Sequence, residues 1–90
     1  MYRIDETKRA RRDRKLVASM GTAIKKRFVQ ILNLLAENPY SDTFGGETLK
    51  YNGELFRSFE LTKKDRIVVE IIEDDYSVII YQYLGHYTDK

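Results

Sequence analysis

Cysteine is absent from this chain, and histidine occurs once, at position 86. Without thiolates neither a disulfide framework nor a cysteine-ligated metal site can form. A single imidazole argues against a histidine-built metal cluster as well. Tryptophan is missing, and proline occurs only at Pro39. No Pro-, Gly- or Ser-rich linker, repeat or low-complexity tract divides the chain. No stretch approaches the roughly 20 apolar residues that span a bilayer, and charges occupy the N-terminus where a signal peptide needs an apolar segment. These absences predict a protein with no membrane partner, acting in the cytoplasm. The missing cysteine is compatible with a reducing compartment.

What is present fits one small domain. Ninety residues, 42% hydrophobic and 33% charged, suffice for a single modest core over residues 1–90. The net charge of +2 conceals an asymmetry. Residues 1–27 hold ten Lys/Arg against three acids, a net of +7, and residues 28–90 carry a net of −5. A cationic end of this density suits a polyanion such as nucleic acid.

Periodicity predicts the elements. Tyr2-Arg3-Ile4 reads as a short strand, and Asp5 or Thr7 as the cap of a helix running to about Met20. Its apolar members are Ala10, Leu16, Val17 and Met20. Gly21-Thr22 opens a second helix, whose Ile24, Phe28, Ile31, Leu32 and Leu35 follow one buried stripe. Asn38-Pro39 ends it, because the residue before proline disfavours helical dihedrals. Four extended segments follow: Thr48–Tyr51, Leu55–Leu61, Arg66–Ile72 and Ser77–Leu84. Turn residues at Asn52-Gly53, Lys63-Lys64-Asp65 and Glu73-Asp74-Asp75 join them tightly, so they should pair antiparallel. The expected class is α+β: an N-terminal strand and an antiparallel helical hairpin on a mainly antiparallel twisted sheet of four to five strands. Tyr81 and Tyr83, two apart, should share a face, and Phe28, Phe56 and Phe59 should lie in the core.

Several residues have the chemistry for cutting RNA without a metal. That reaction needs a base for the 2′-OH, a cation for the phosphate and an acid for the leaving 5′-oxygen. Glu47 starts a strand after Gly45-Gly46, Arg66 starts another, and His86 follows the last. Histidine suits proton transfer near neutral pH. Lys50, three residues after Glu47, projects to the opposite face of an extended segment. Tyr87 could stack on a base or bond a phosphate, and Tyr51 could do likewise. Ordinary surface roles account for the same residues: solvated strand edges for Glu47 and Lys50, a bridge from Arg66 to Glu60 or Asp65, and a frayed end for His86. On the first helix Lys8, Arg11, Arg12 and Lys15 share one face at i, i+3, i+4, i+7. Arg9 and Arg14 broaden it, with only Asp13 interrupting. Phosphate contact gives that repulsive cluster a reason; a solvated helix face is the other reading.

From Gly45 to Tyr87 the chain resembles the Txe/YoeB branch of the RelE/ParE toxin superfamily. The resemblance rests on Glu47-Thr48-Leu49-Lys50, Phe56, Leu61-Thr62, Asp65-Arg66-Ile67-Val68, the Glu73-Asp74-Asp75 turn and His86-Tyr87. It implies the toxin of a type II toxin–antitoxin pair, a ribosome-dependent, metal-independent mRNA endonuclease needing no cofactor. By that resemblance Glu47 is the general base, His86 the general acid and Arg66 the stabiliser of the transition state. Lys50 and Tyr87 hold the phosphate and base, and the products are a 2′,3′-cyclic or 3′-phosphate and a 5′-OH. Lys8, Arg11, Arg12 and Lys15 would face ribosomal RNA. The implied partners are a cognate antitoxin, mRNA and the ribosome, with a homodimer also allowed. Phe59 and Glu60 stand where the family usually carries paired arginines, and Leu84-Gly85 where a basic residue often precedes the histidine. Two rivals therefore remain: a non-catalytic binder of RNA or protein, and a ParE-like gyrase inhibitor on the same fold.

Overall fold

The computed structural model describes residues 1–51 and 53–86, without the side chains of Lys50 and Tyr51. Seven main elements follow in order: β1 (Arg3–Glu6), α1 (Lys8–Val17), α2 (Thr22–Glu37), β2 (Glu47–Tyr51), β3 (Glu54–Glu60), β4 (Arg66–Ile72) and β5 (Ser77–Gln82). The strands form one sheet in the order β1-β5-β4-β3-β2. Its last four strands pair antiparallel, as their tight connections require. β1 lies parallel to β5 at one edge, which leaves β2 as the other edge.

Thr7, rather than Asp5, caps α1: its side chain accepts the Ala10 N–H at 3.1 Å. A threonine oxygen there satisfies one of the helix's unpaired first-turn donors. The helix ends at Val17, earlier than the apolar pattern suggested, and Leu16 points outward (59% exposed). Its inward stripe is instead Ala10, Asp13 and Val17. Asp13 thus does not interrupt the basic face; it is buried, and its Oδ2 accepts the Tyr83 and Leu84 amides at 3.1 and 3.2 Å. Those bonds also explain why β5 stops at Gln82 instead of Leu84: the next two amides turn to α1 instead of β4.

On α2, Ile31 and Leu35 are fully buried, with Ile24, Phe28 and Leu32 packed beside them. They meet Phe59, Ile67, Val69, Ile71, Val78 and Ile80, which project from one face of the sheet. Burial of these side chains at roughly 1.5–3 kcal/mol each is the main force holding helices to sheet.

The tyrosine pair departs from simple alternation. Val69 pairs with Ile80 but Val68 with Gln82, so Tyr81 is an extra residue at a bulge. A bulge resets which face the following residues occupy. Tyr83 is therefore fully buried among the core residues. Tyr81 lies on the other face, bonding Glu70 at 2.8 Å and packing on Phe56, their ring centres 5.4 Å apart. Phe56 leaves the core with it.

Tyr83 donates its hydroxyl to Glu6, which Arg14 also grips through Nε at 2.9 Å and Nη2 at 3.1 Å. Burial alone would raise the Glu6 pKa, but the bonds from Arg14 and Tyr83 outweigh it and hold the carboxyl below its usual 4.5. A depressed folded-state pKa stabilises the fold above the unfolded value and loses that contribution as pH falls through the folded one. Thermal melts should therefore show stability decreasing below about pH 4.5. Glu6→Gln should flatten that slope; an unchanged slope would remove Glu6 from the account.

Candidate active site

In an antiparallel ladder, directly opposed residues share a face. Glu47 opposes Ser58, and Glu60 opposes Arg66 two positions further along β3. These four residues therefore occupy the face away from the helices, at the end of the sheet where β2 and β4 begin and β3 ends.

Arg66 organises this end. Its Nε donates to Ser58 Oγ at 2.9 Å, and its Nη2 to the carbonyls of Gly45 at 2.7 Å and Ser58 at 3.2 Å. The same Nη2 lies 3.3 Å from Glu47 Oε2, an ion pair in which Arg66 is 24% and Glu47 63% exposed. The bridge from Arg66 thus reaches neither Glu60 nor Asp65. A fork of fixed donors held by neutral oxygens keeps the guanidinium oriented, while Glu47 stays open to solvent.

The local backbone explains the glycine pair. Gly45 has φ 65°, and a side chain there would approach the Glu60 carboxylate at 3.6 Å and Arg66 Nη1 at 4.0 Å. At Gly46 a Cβ would fall 2.4 Å from the Ser41 carbonyl and 2.8 Å from the Phe59 ring. Gly45 thus supplies a left-handed turn, and Gly46 supplies room. Together they aim the Gly45 carbonyl at Arg66 and start β2 at Glu47.

His86 follows β5 at this same end of the sheet. The Arg66 amide donates to the Gly85 carbonyl at 2.8 Å, so the backbone leading into the exposed histidine is bonded directly to the arginine's own. Tyr87 and the Lys50 side chain lie outside the described residues.

Sequence reasoning missed Arg57. It is 3% exposed, and its Nη1 donates to the carbonyls of Pro39 and Ser41, both at 2.7 Å. Nη2 meets Asp42 Oδ1 at 3.2 Å and Nε meets Thr48 Oγ1 at 3.2 Å. The guanidinium lies 5.3 Å from the Phe59 ring centre. Arg57 thus ties the loop after α2, which leads into Gly45-Gly46, onto β3. The available signal was its place in β3: Arg57 shares the core-facing register with Phe59, where a lone charge needs dedicated acceptors.

The basic face of α1 divides into two groups. Lys8, Arg11, Arg12 and Lys15 are exposed and line an open pocket of about 190 Å³. Arg9 and Arg14 do not broaden it: Arg9 Nη2 donates to the Leu84 carbonyl at 2.7 Å, and Arg14 is committed to Glu6. Among the described residues, no group of three or more His, Asp or Glu could hold a metal ion, and no helix is long and apolar enough to cross a membrane.

Comparison with solved structures places this architecture. The YoeB dimer from Staphylococcus aureus superposes with a TM-score of 0.79 at 21% identity, covering 96% of this chain and 98% of that one. A YoeB/ParE toxin from Agrobacterium tumefaciens gives 0.82 at 15% identity, with 94% and 99% covered. The heterotetrameric YoeB-YefM toxin–antitoxin complex from Staphylococcus aureus gives 0.75 at 21% identity, with 97% and 99% covered. No protein-family model and no curated protein matches the sequence. The chain has the YoeB/RelE toxin fold: two helices on a five-stranded mixed sheet.

Proposed function

We propose that this chain is the toxin of a toxin–antitoxin pair and cuts mRNA on the ribosome, in the cytoplasm. The observation that carries the reading is the Glu47–Arg66 ion pair, with the backbone before His86 bonded to Arg66. In the reaction, the Glu47 carboxylate takes the proton of a 2′-OH, and the freed oxygen attacks the adjacent phosphorus. Arg66 stabilises charge on the non-bridging oxygens, and protonated His86 gives its proton to the departing 5′-oxygen. The P–O5′ bond breaks, leaving a 2′,3′-cyclic phosphate and a 5′-OH. Every proton and electron pair is accounted for by these three side chains and the RNA. Lys50 and Tyr87 are assigned to the phosphate and base. An antitoxin is the proposed protein partner, in keeping with the YoeB-YefM complex of the same fold.

Incubating the purified chain with translating ribosomes and mapping mRNA 5′ ends tests this. New 5′-hydroxyl ends are expected, and none with Glu47→Gln. Unchanged transcripts despite ribosome binding would favour a non-catalytic binder. One observation supports that rival: Glu60 opposes Arg66 on the same face, and a second carboxylate there repels phosphate. Loss of gyrase supercoiling without RNA cleavage would favour the ParE-like reading.

The four exposed cations of α1 are assigned to ribosomal RNA. Neutralising Lys8, Arg12 and Lys15 together should reduce the slope of log affinity against log salt by roughly 0.9 for each phosphate that is no longer neutralised. Ribosome binding measured across a salt series checks this, and an unaltered slope would remove α1 from the interface.

A further inference from the structure

We infer that Asp65 is the positioning residue for His86, holding the strand exit that carries the imidazole against the Arg66 end of the sheet. The inference rests on the proposed role of His86.

β5 ends at Gln82, so the ladder places none of the residues between it and His86. Three side chains and one backbone amide do so instead. Asp13 takes the Tyr83 and Leu84 amides, and Arg9 takes the Leu84 carbonyl. The last side-chain link before the histidine belongs to Asp65, whose Oδ1 accepts the Gly85 N–H at 2.8 Å. Arg66, the next residue, donates its own N–H to the Gly85 carbonyl. Both polar groups of Gly85 are therefore held by two consecutive residues, one of which is the proposed phosphate-stabilising arginine.

Asp65 can serve as an anchor because its own position is fixed. Oδ2 accepts the Thr62 hydroxyl at 2.7 Å, and Thr62 Oγ1 in turn accepts the amides of Lys64 and Asp65. The Asp65 carbonyl accepts the amides of Leu61 and Thr62. An aspartate needed only for the turn would use Oδ2 alone; Oδ1 reaches a residue twenty positions away. Burial pushes the Asp65 pKa up, but the Thr62 and Gly85 bonds, with the charges of Lys64 and His86, bring it below the usual value. The anchor is thus an ionised acceptor. Gly85 has φ +109°, a backbone conformation that favours glycine at the clamped position.

The test compares Asp65→Ala, Asp65→Ser and Asp65→Asn with the full-length wild-type chain and His86→Ala. Measured are kcat and KM for mRNA cleavage on ribosomes, and amide hydrogen exchange at Gly85 and His86. Misplacing a reacting group by about 1 Å can cost 10²-fold. Asp65→Ala should lower kcat by about that factor with KM within about twofold, and should expose the Gly85 amide while β4–β5 ladder amides stay protected. Asp65→Asn keeps an acceptor oxygen and should recover most of the rate. Asp65→Ser keeps a turn-forming hydroxyl but is too short to reach Gly85, so it should stay folded, even where alanine unfolds the chain, and lose kcat by the same factor. Wild-type kcat in Asp65→Ser, or an unchanged Gly85 exchange rate, would overturn the inference. If the wild-type chain does not cleave, or His86→Ala cleaves equally well, the proposed reaction fails; Gly85 exchange then decides the clamp alone.

Discussion

His86→Ala should lower the rate of mRNA cleavage by about 10²–10⁴-fold, the usual contribution of a positioned general acid. The fold should hardly notice. His86 is exposed and outside every strand, and surface substitutions of that kind stay within about 0.5 kcal/mol. Expression of this variant should therefore yield a protein of wild-type melting temperature that no longer arrests growth. The loss should appear in kcat, because an acid that acts on the departing 5′-oxygen works in the transition state and not in substrate binding. A variant of unaltered kcat would leave the leaving group to another donor and remove His86 from the mechanism.

Arg57→Ala should act in the opposite way, on stability first. It removes the donor that satisfies the Pro39 and Ser41 carbonyls. Each buried acceptor left without a partner costs about 1–3 kcal/mol, so a total near 3 kcal/mol is expected. In a domain of this size each kcal/mol shifts the melting temperature by roughly 4–8 °C, so Tm should fall by at least about 12 °C. The solvent-exposed Asp42 partner (92% exposed) adds little. Activity should fall too, because the freed loop runs into Gly45 and Gly46, which set the Arg66 acceptor and the start of β2. A near-wild-type Tm would mean that the loop finds other partners.

The long elements were legible in the sequence because their signals are periodic. The apolar stripe of α2 and the Val/Ile-rich β4 and β5 follow directly from burial on one face. The tight turns between β2 and β5 dictated antiparallel pairing. What was not legible involves contacts between residues far apart in the chain. Asp13 looks like a break in a basic face; only the arrival of Tyr83 and Leu84 beneath α1 shows it as an acceptor. Arg9 and Arg14 read as surface cations until Leu84 and Glu6 claim them. Tyr81 and Tyr83 alternate in sequence, and a one-residue bulge, which leaves no mark on composition, separates their faces. Arg57 could have been suspected, since it sits in the core-facing register of β3.

The candidate site shows the same division. The sequence nominated Glu47 and Arg66 by chemistry and resemblance; the strand register puts them on one face with β3 between them, and the arginine side chain spans the gap. It did not reveal Ser58 or the Gly45 carbonyl, the neutral acceptors that orient Arg66. Nor did it reveal the Gly85 link. Glu60, a departure from the resembled family, lies on the same face as Arg66, where its charge would oppose the proposed phosphate contact.

The central claim is that Glu47, Arg66 and His86 act together on one RNA linkage through its own 2′-oxygen. The most direct measurement places a single 2′-deoxynucleotide at the mapped cut position of an otherwise unmodified mRNA on the ribosome. The account predicts that the wild-type chain leaves that linkage intact while cutting the all-ribose message. Cleavage of the deoxy-substituted linkage at a comparable rate would contradict it.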